Sequence, residues 1–112
     1  MSNQSTRFLS EENFTIDEAG KRGVLKLEGE LTMEQAVDIK ETLLSALVQV
    51  EHLSLNLEEG TVFDLSFVQL LYSAYQTALS MNKSLTLRGA CPADLKQIVK
   101  ESGYNQHQWL PI

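Results

Sequence analysis

The sequence predicts an α/β fold of two layers: a four-stranded, mostly parallel mixed sheet with an antiparallel first strand, and helices packed mainly on one face. Three observations lead there. Four short runs carry apolar residues at alternate positions, the period of a strand. Between the second, third and fourth runs lie longer segments whose apolar residues recur at helical spacing. The strands are half polar, whereas parallel sheets covered on both faces have nearly continuous apolar strands, so one face of this sheet is left to water. With 112 residues, 43% of them hydrophobic, the chain can bury one core and is too short for two ordinary domains.

Residues 1–13 are polar and without sustained period, so they are expected to be a tail in which Phe8 and Leu9 touch the body. Residues 14–112 are expected to form the single domain. Phe14 and Ile16 mark the first strand, and Leu25 and Leu27 the second. The turn Glu18-Ala19-Gly20-Lys21-Arg22-Gly23 between them suits a hairpin, which makes this pair antiparallel. Thr32-Met33-Glu34-Gln35 reads as a capping box opening an amphipathic helix, with Ala36, Val37, Ile39, Leu43, Leu44, Leu47 and Val48 on its inward side. Leu53, Leu55 and Leu57 form the third strand.

A second helix from Ser66 to about Met81 carries Phe67, Leu70, Leu71, Ala74, Tyr75, Ala78 and Leu79 on a broad apolar face. Leu85 and Leu87 form the fourth strand. A third helix has Pro92 at its first position, Gly103 past its carboxyl end, and Leu95, Ile98 and Val99 facing inward. Right-handed crossovers that advance one way across the sheet put the first two helices on the same side. The apolar end Trp109-Leu110-Pro111-Ile112 is expected to pack back on the domain.

Composition narrows the function. A net charge of -6 without a basic cluster argues against nucleic acid and anionic membrane surfaces as partners. No apolar run reaches the ~20 residues of a spanning helix and Ser2-Asn3-Gln4-Ser5 opens no signal peptide, so no membrane insertion and a cytoplasmic location are expected. Cys91 is the sole cysteine, which rules out an internal disulfide and a Cys-based zinc site within one chain; it is expected to be a buried thiol or a helix-cap residue. His52 and His107 have no neighbours spaced for a metal site or a nucleophilic triad. Glu58, Glu59 and Asp64 lack the spacing of a calcium loop and read as solvated charges. No cofactor, metal or catalytic residue is expected.

The stretch Phe63-Asp64-Leu65-Ser66-Phe67-Val68-Gln69 carries the most information. Ser66 and Gln69 have capping-box spacing, which places a hydroxyl at a helix start, where partial positive charge and unpaired N–H groups tolerate a phosphate. Asp64 reads as a turn or dipole-compensating residue, and Phe63 and Phe67 as binding anchors if exposed or core if not.

Together with Leu27-Glu28-Gly29-Glu30-Leu31-Thr32 before the first helix and Leu53-Ser54-Leu55-Asn56-Leu57 as a central strand, this stretch resembles the STAS domain, the family of bacterial anti-sigma factor antagonists, over roughly Phe14 to Gly103. Members commonly carry Asp-Ser-Ser-Gly with the second serine phosphorylated. Asp64 matches the aspartate and Ser66 the modified serine, while Leu65 and Phe67 replace the first serine and the glycine. The resemblance implies a noncatalytic regulatory module switched by phosphorylation of Ser66, with Asp64, Leu65, Ser66, Phe67 and Gln69 binding an anti-sigma factor or related serine kinase that supplies the ATP. The alternative is a constitutive scaffold or subunit of a signalling or transport assembly in which Ser66 only caps its helix.

Overall fold

The computed structural model describes residues 13–103, so the expectations for the amino-terminal tail, His107 and the Trp109–Ile112 end lie outside the described residues. The four alternating runs become β1 (Phe14–Ile16), β2 (Arg22–Lys26), β4 (His52–Asn56) and β6 (Ser84–Arg88). They form one sheet in the order β1-β2-β4-β6. β1 is antiparallel to β2, and β2, β4 and β6 are mutually parallel. The helices are α1 (Ala36–Gln49), α2 (Leu65–Ser80) and α3 (Ala93–Ser102).

Alternation decides the layering. Leu25, Leu53, Leu55 and Leu85 point to one side and merge with Ile39, Leu43, Leu47, Leu71, Ala78, Leu95 and Val99 of the helices in a single core. Successive side chains in a strand point to opposite faces. Val24, Lys26, Ser54, Asn56, Thr86 and Arg88 therefore line the other side, and each is at least partly exposed. The expected two-layer architecture is the observed one.

Two further strands escaped the sequence reading. β3 (Gly29–Leu31) and β5 (Gly60–Phe63) pair in parallel as a separate small sheet just beyond the carboxyl ends of β2 and β4. Each is too short to show a period. Gly60 belongs there because a Cβ would come within 2.5 Å of the Phe63 ring and 3.0 Å of Leu31. This small sheet delivers the chain to the starts of α1 and α2.

Several expected inward residues of the helices face outward instead. Val37, Val48 and Leu79 are exposed. Thr42 takes a core position that the apolar count overlooked, because its hydroxyl donates to the carbonyl of Asp38 at 2.7 Å and so carries no unmet hydrogen bond inward. Pro92 sits one position before α3 rather than in it, and Gly103 closes the helix in the left-handed conformation, φ 85°. At the hairpin, Oδ1 of Asp17 accepts the N–H groups of Lys21 and Arg22. The Arg22 N–H above all holds the Asp17 carboxyl below its ordinary value. Its contribution to the hairpin is therefore present above the ordinary carboxylate range and is lost as pH falls through the lowered value.

The central position of β4 gives a direct check on the core. Leu55→Ala should lower stability by about 2–5 kcal/mol in urea unfolding, whereas Val48→Ala should stay within about 0.5 kcal/mol.

Candidate functional site

The chain leaves β5 at Phe63 and remains extended at Asp64, φ −140° and ψ 178°, before α2 begins at Leu65. Asp64 is therefore the amino-terminal cap. Its Oδ1 accepts the N–H of Phe67 at 3.0 Å. Its Oδ2 accepts the N–H of Met33 at 2.9 Å, in the single 3-10 turn Met33–Gln35 that leads into α1. One carboxylate thus satisfies the starts of two helical segments, reaching back 31 residues in sequence to the first of them.

This corrects both expected capping boxes. Ser66 is the second residue of α2, past the cap, so its pairing with Gln69 does not form. Thr32 offers no side-chain cap to the turn that follows it, because Asp64 supplies the acceptor from across the fold. A carboxylate brings two oxygens and a full charge to the positive ends of helices, and a hydroxyl brings one oxygen and none.

The structure also divides the five residues expected to meet a partner. Leu65 is 45% exposed, Gln69 is exposed, and Asp64 and Ser66 are half-buried. Phe67 is 0% exposed, and its ring lies 5.7 Å from that of Phe63, tilted by 51°. Phe63 is buried as well. Neither aromatic is a surface anchor, and the expectation that the Phe67 side chain contacts a partner is corrected: it is core.

What the sequence reading missed is apolar. Met33, 68% exposed, and Val37, 69% exposed, stand at the start of α1. Val62 of β5 is exposed as well, and so is Leu65 of α2, which was already expected to meet a partner. An open depression of about 300 Å³ is lined by Met33, Val62 and Asp64, with Glu30, Thr32 and Glu34 at its margin. Met33 and Val62 gave no signal because neither belongs to a periodic run; the long-range bond from Asp64 brings them together.

Of the neighbouring acids, Glu58 and Glu59 are exposed, as expected for them. Oε2 of Glu58 accepts the N–H of Ala90 at 2.8 Å, holding the loop between β6 and α3, where Gly89 has φ 80°. Glu59 keeps to the surface, 3.8 Å from Nζ of Lys26. Cys91 is half-buried, and its burial pushes the thiol pKa up, with Lys96 opposing. Among the described residues no group of three His, Cys, Asp or Glu is placed to hold a metal ion. None of the described helices is long and apolar enough to cross a membrane.

The cap assignment yields opposite expectations for adjacent residues. Asp64→Ala should cost about 0.5–2 kcal/mol in urea unfolding, since two helix-start N–H groups lose their side-chain acceptor. Ser66→Ala should change stability by less than about 0.5 kcal/mol. A larger loss at Ser66 than at Asp64 would reinstate the serine as the cap.

A family model described as Mlab, STAS domain, matches residues 14–111. Among solved structures, the anti-sigma factor antagonist SpoIIAA in its unphosphorylated form is 19% identical, with a TM-score of 0.58 over 85% of this chain and 97% of that one. The Bacillus cell fate determinant SpoIIAA in the phosphorylated form is 20% identical, with a TM-score of 0.61 over 87% of each chain. No curated protein matches the chain. At these identities the solved structures share the fold.

Proposed function

We propose that this chain, which belongs to the STAS domain family, is a noncatalytic regulatory module that binds a protein partner around Asp64 to Gln69 and is switched by phosphorylation of Ser66. The observation that carries this reading is a partly exposed serine on the first turn of α2, beside a carboxylate that holds the start of α1. Exposed Met33, Val37, Val62 and Leu65 supply the apolar area that a protein partner would cover. The partner would be an anti-sigma factor or a related serine kinase in the cytoplasm, with ATP held by the partner.

Phosphorylation would act through charge. A phosphate adds about −1.5 to −2 charges next to the carboxylate of Asp64. The two anions would compete for the same N–H groups at the start of α2, and repulsion would weaken the grip of Asp64 on Met33. Apolar residues on the leading turn of α1 would then shift, and the added charge would oppose an apolar fit. The unmodified form binds and the modified form releases. Because Ser66 is not itself the cap, the phosphate would take away no hydrogen bond that the serine hydroxyl makes to α2.

A second reading, the constitutive scaffold or subunit, draws on the same apolar patch, which is present without any phosphate. It predicts no modification of Ser66 in cells.

Retention of the partner by full-length Ser66→Ala, and its loss by about tenfold or more with Ser66→Asp, is the outcome expected in a quantitative pull-down beside wild type. Equal retention by all three variants would contradict the switch and leave the scaffold, which phosphopeptide mass spectrometry of Ser66 then checks.

A further inference from the structure

The side of the sheet that the helices leave open has its own chemistry. Register aligns Arg22 with His52 and Ser84 in one row, and Lys26 with Asn56 and Arg88 in another. None of the side chains that β2, β4 and β6 present on this side is acidic, although the chain as a whole carries a net charge of -6. A depression of about 390 Å³ lies between these rows, bordered by Thr15, Arg22, His52, Ser54 and Arg88, with Asp17 as the one carboxylate in its lining. Topology creates this basic face: its cations, Arg22, Lys26 and Arg88, come from two strands, β2 and β6, that lie far apart in the chain.

The anions near it are already engaged. Glu28 and Glu59 both lie near Nζ of Lys26, at 3.4 and 3.8 Å. The carboxylate of Asp17 sits beside Arg22 but accepts the turn N–H groups of Lys21 and Arg22. Arg22 and Arg88 are both exposed, and among the described residues neither guanidinium has an ion pair. His52 and Ser84 are hydrogen-bonded to each other at 2.8 Å, and the hydroxyls of Ser54 and Thr86 lie 3.3 Å apart.

We propose that this open sheet face is a second docking surface, independent of the Asp64–Gln69 site, for an acidic polar segment of another protein whose carboxylates meet Arg22 and Arg88. Guanidinium groups match carboxylates in two-pronged geometry, and the hydroxyl-lined floor suits a polar segment rather than an apolar one. Nucleic acid fits less well. Stable phosphate-backbone binding draws on about 6–10 cationic contacts, and this face offers two exposed arginines, one of them beside Asp17, on an acidic protein.

The test titrates full-length protein with a fluorescent hexaglutamate peptide at low salt and follows backbone amides by NMR. Saturable, salt-sensitive binding is expected, with shifts centred on Val24, Ser54 and Thr86. The double substitution Arg22→Ala, Arg88→Ala should weaken it about tenfold, while Lys40→Ala leaves it unchanged. Four results would overturn the proposal: no saturable binding, binding indifferent to the double substitution, preference for an oligothymidylate of equal charge, or salt-sensitive self-association in sedimentation that the double substitution abolishes. Peptide binding that emerges only after residues 1–12 are removed would assign the face to the chain's own amino-terminal segment and overturn it equally.

Discussion

One carboxylate organises the end of this molecule at which α1 and α2 begin. Asp64 lies where β5 ends, and its two oxygens accept N–H groups from the starts of two different helical segments. Backbone N–H groups in a first helical turn have no partner within the helix, so each start requires an acceptor from elsewhere. Supplying both from one side chain fixes α1 and α2 relative to each other at the place where the apolar residues are exposed. It also makes the position of Met33 dependent on the charge beside Asp64. A phosphate on the neighbouring serine, as proposed, would change the field at the joint itself.

Much of the fold was legible. Alternation located all four strands of the main sheet, and half-polar strands correctly implied a single covered face. Helical spacing located all three helices. The errors arose where local pattern gives way to contacts distant in sequence. Ser66–Gln69 and Thr32–Gln35 both have the spacing of a capping box, yet the acceptor is an aspartate outside both frames, and only the pairing of β3 with β5 brings it within reach of Met33. Those two strands begin at glycines and are three and four residues long, too short for a period to emerge. Phe67 illustrates a different limit: an aromatic beside a candidate site reads equally well as an anchor or as core, and the helix starting at Leu65 rather than later turns it inward.

Charge was legible in sum but not in place. The net charge of -6 pointed away from anionic partners, and no run of the sequence is basic. Parallel pairing nevertheless places Arg22, Lys26 and Arg88 on one face while the carboxylates nearest them are held by Lys26 and by turn N–H groups. Sheet register, unlike sequence neighbourhood, brings residues from distant strands into one field. The molecule consequently presents two unlike surfaces: an apolar one rimmed by Glu30 and Glu34 at the helix starts, and a polar basic one across the sheet.

The coupling between Ser66 and the start of α1 is open to one direct measurement. Amide hydrogen exchange at Met33 can be compared in the full chain carrying phosphoserine at position 66, introduced by semisynthesis, and in the unmodified chain. If charge at Ser66 loosens the bond from Asp64, exchange at Met33 accelerates about tenfold or more while amides in the core of β4 keep their protection. Unchanged exchange at Met33 with the phosphate in place would show that the two helix starts are not coupled through Asp64.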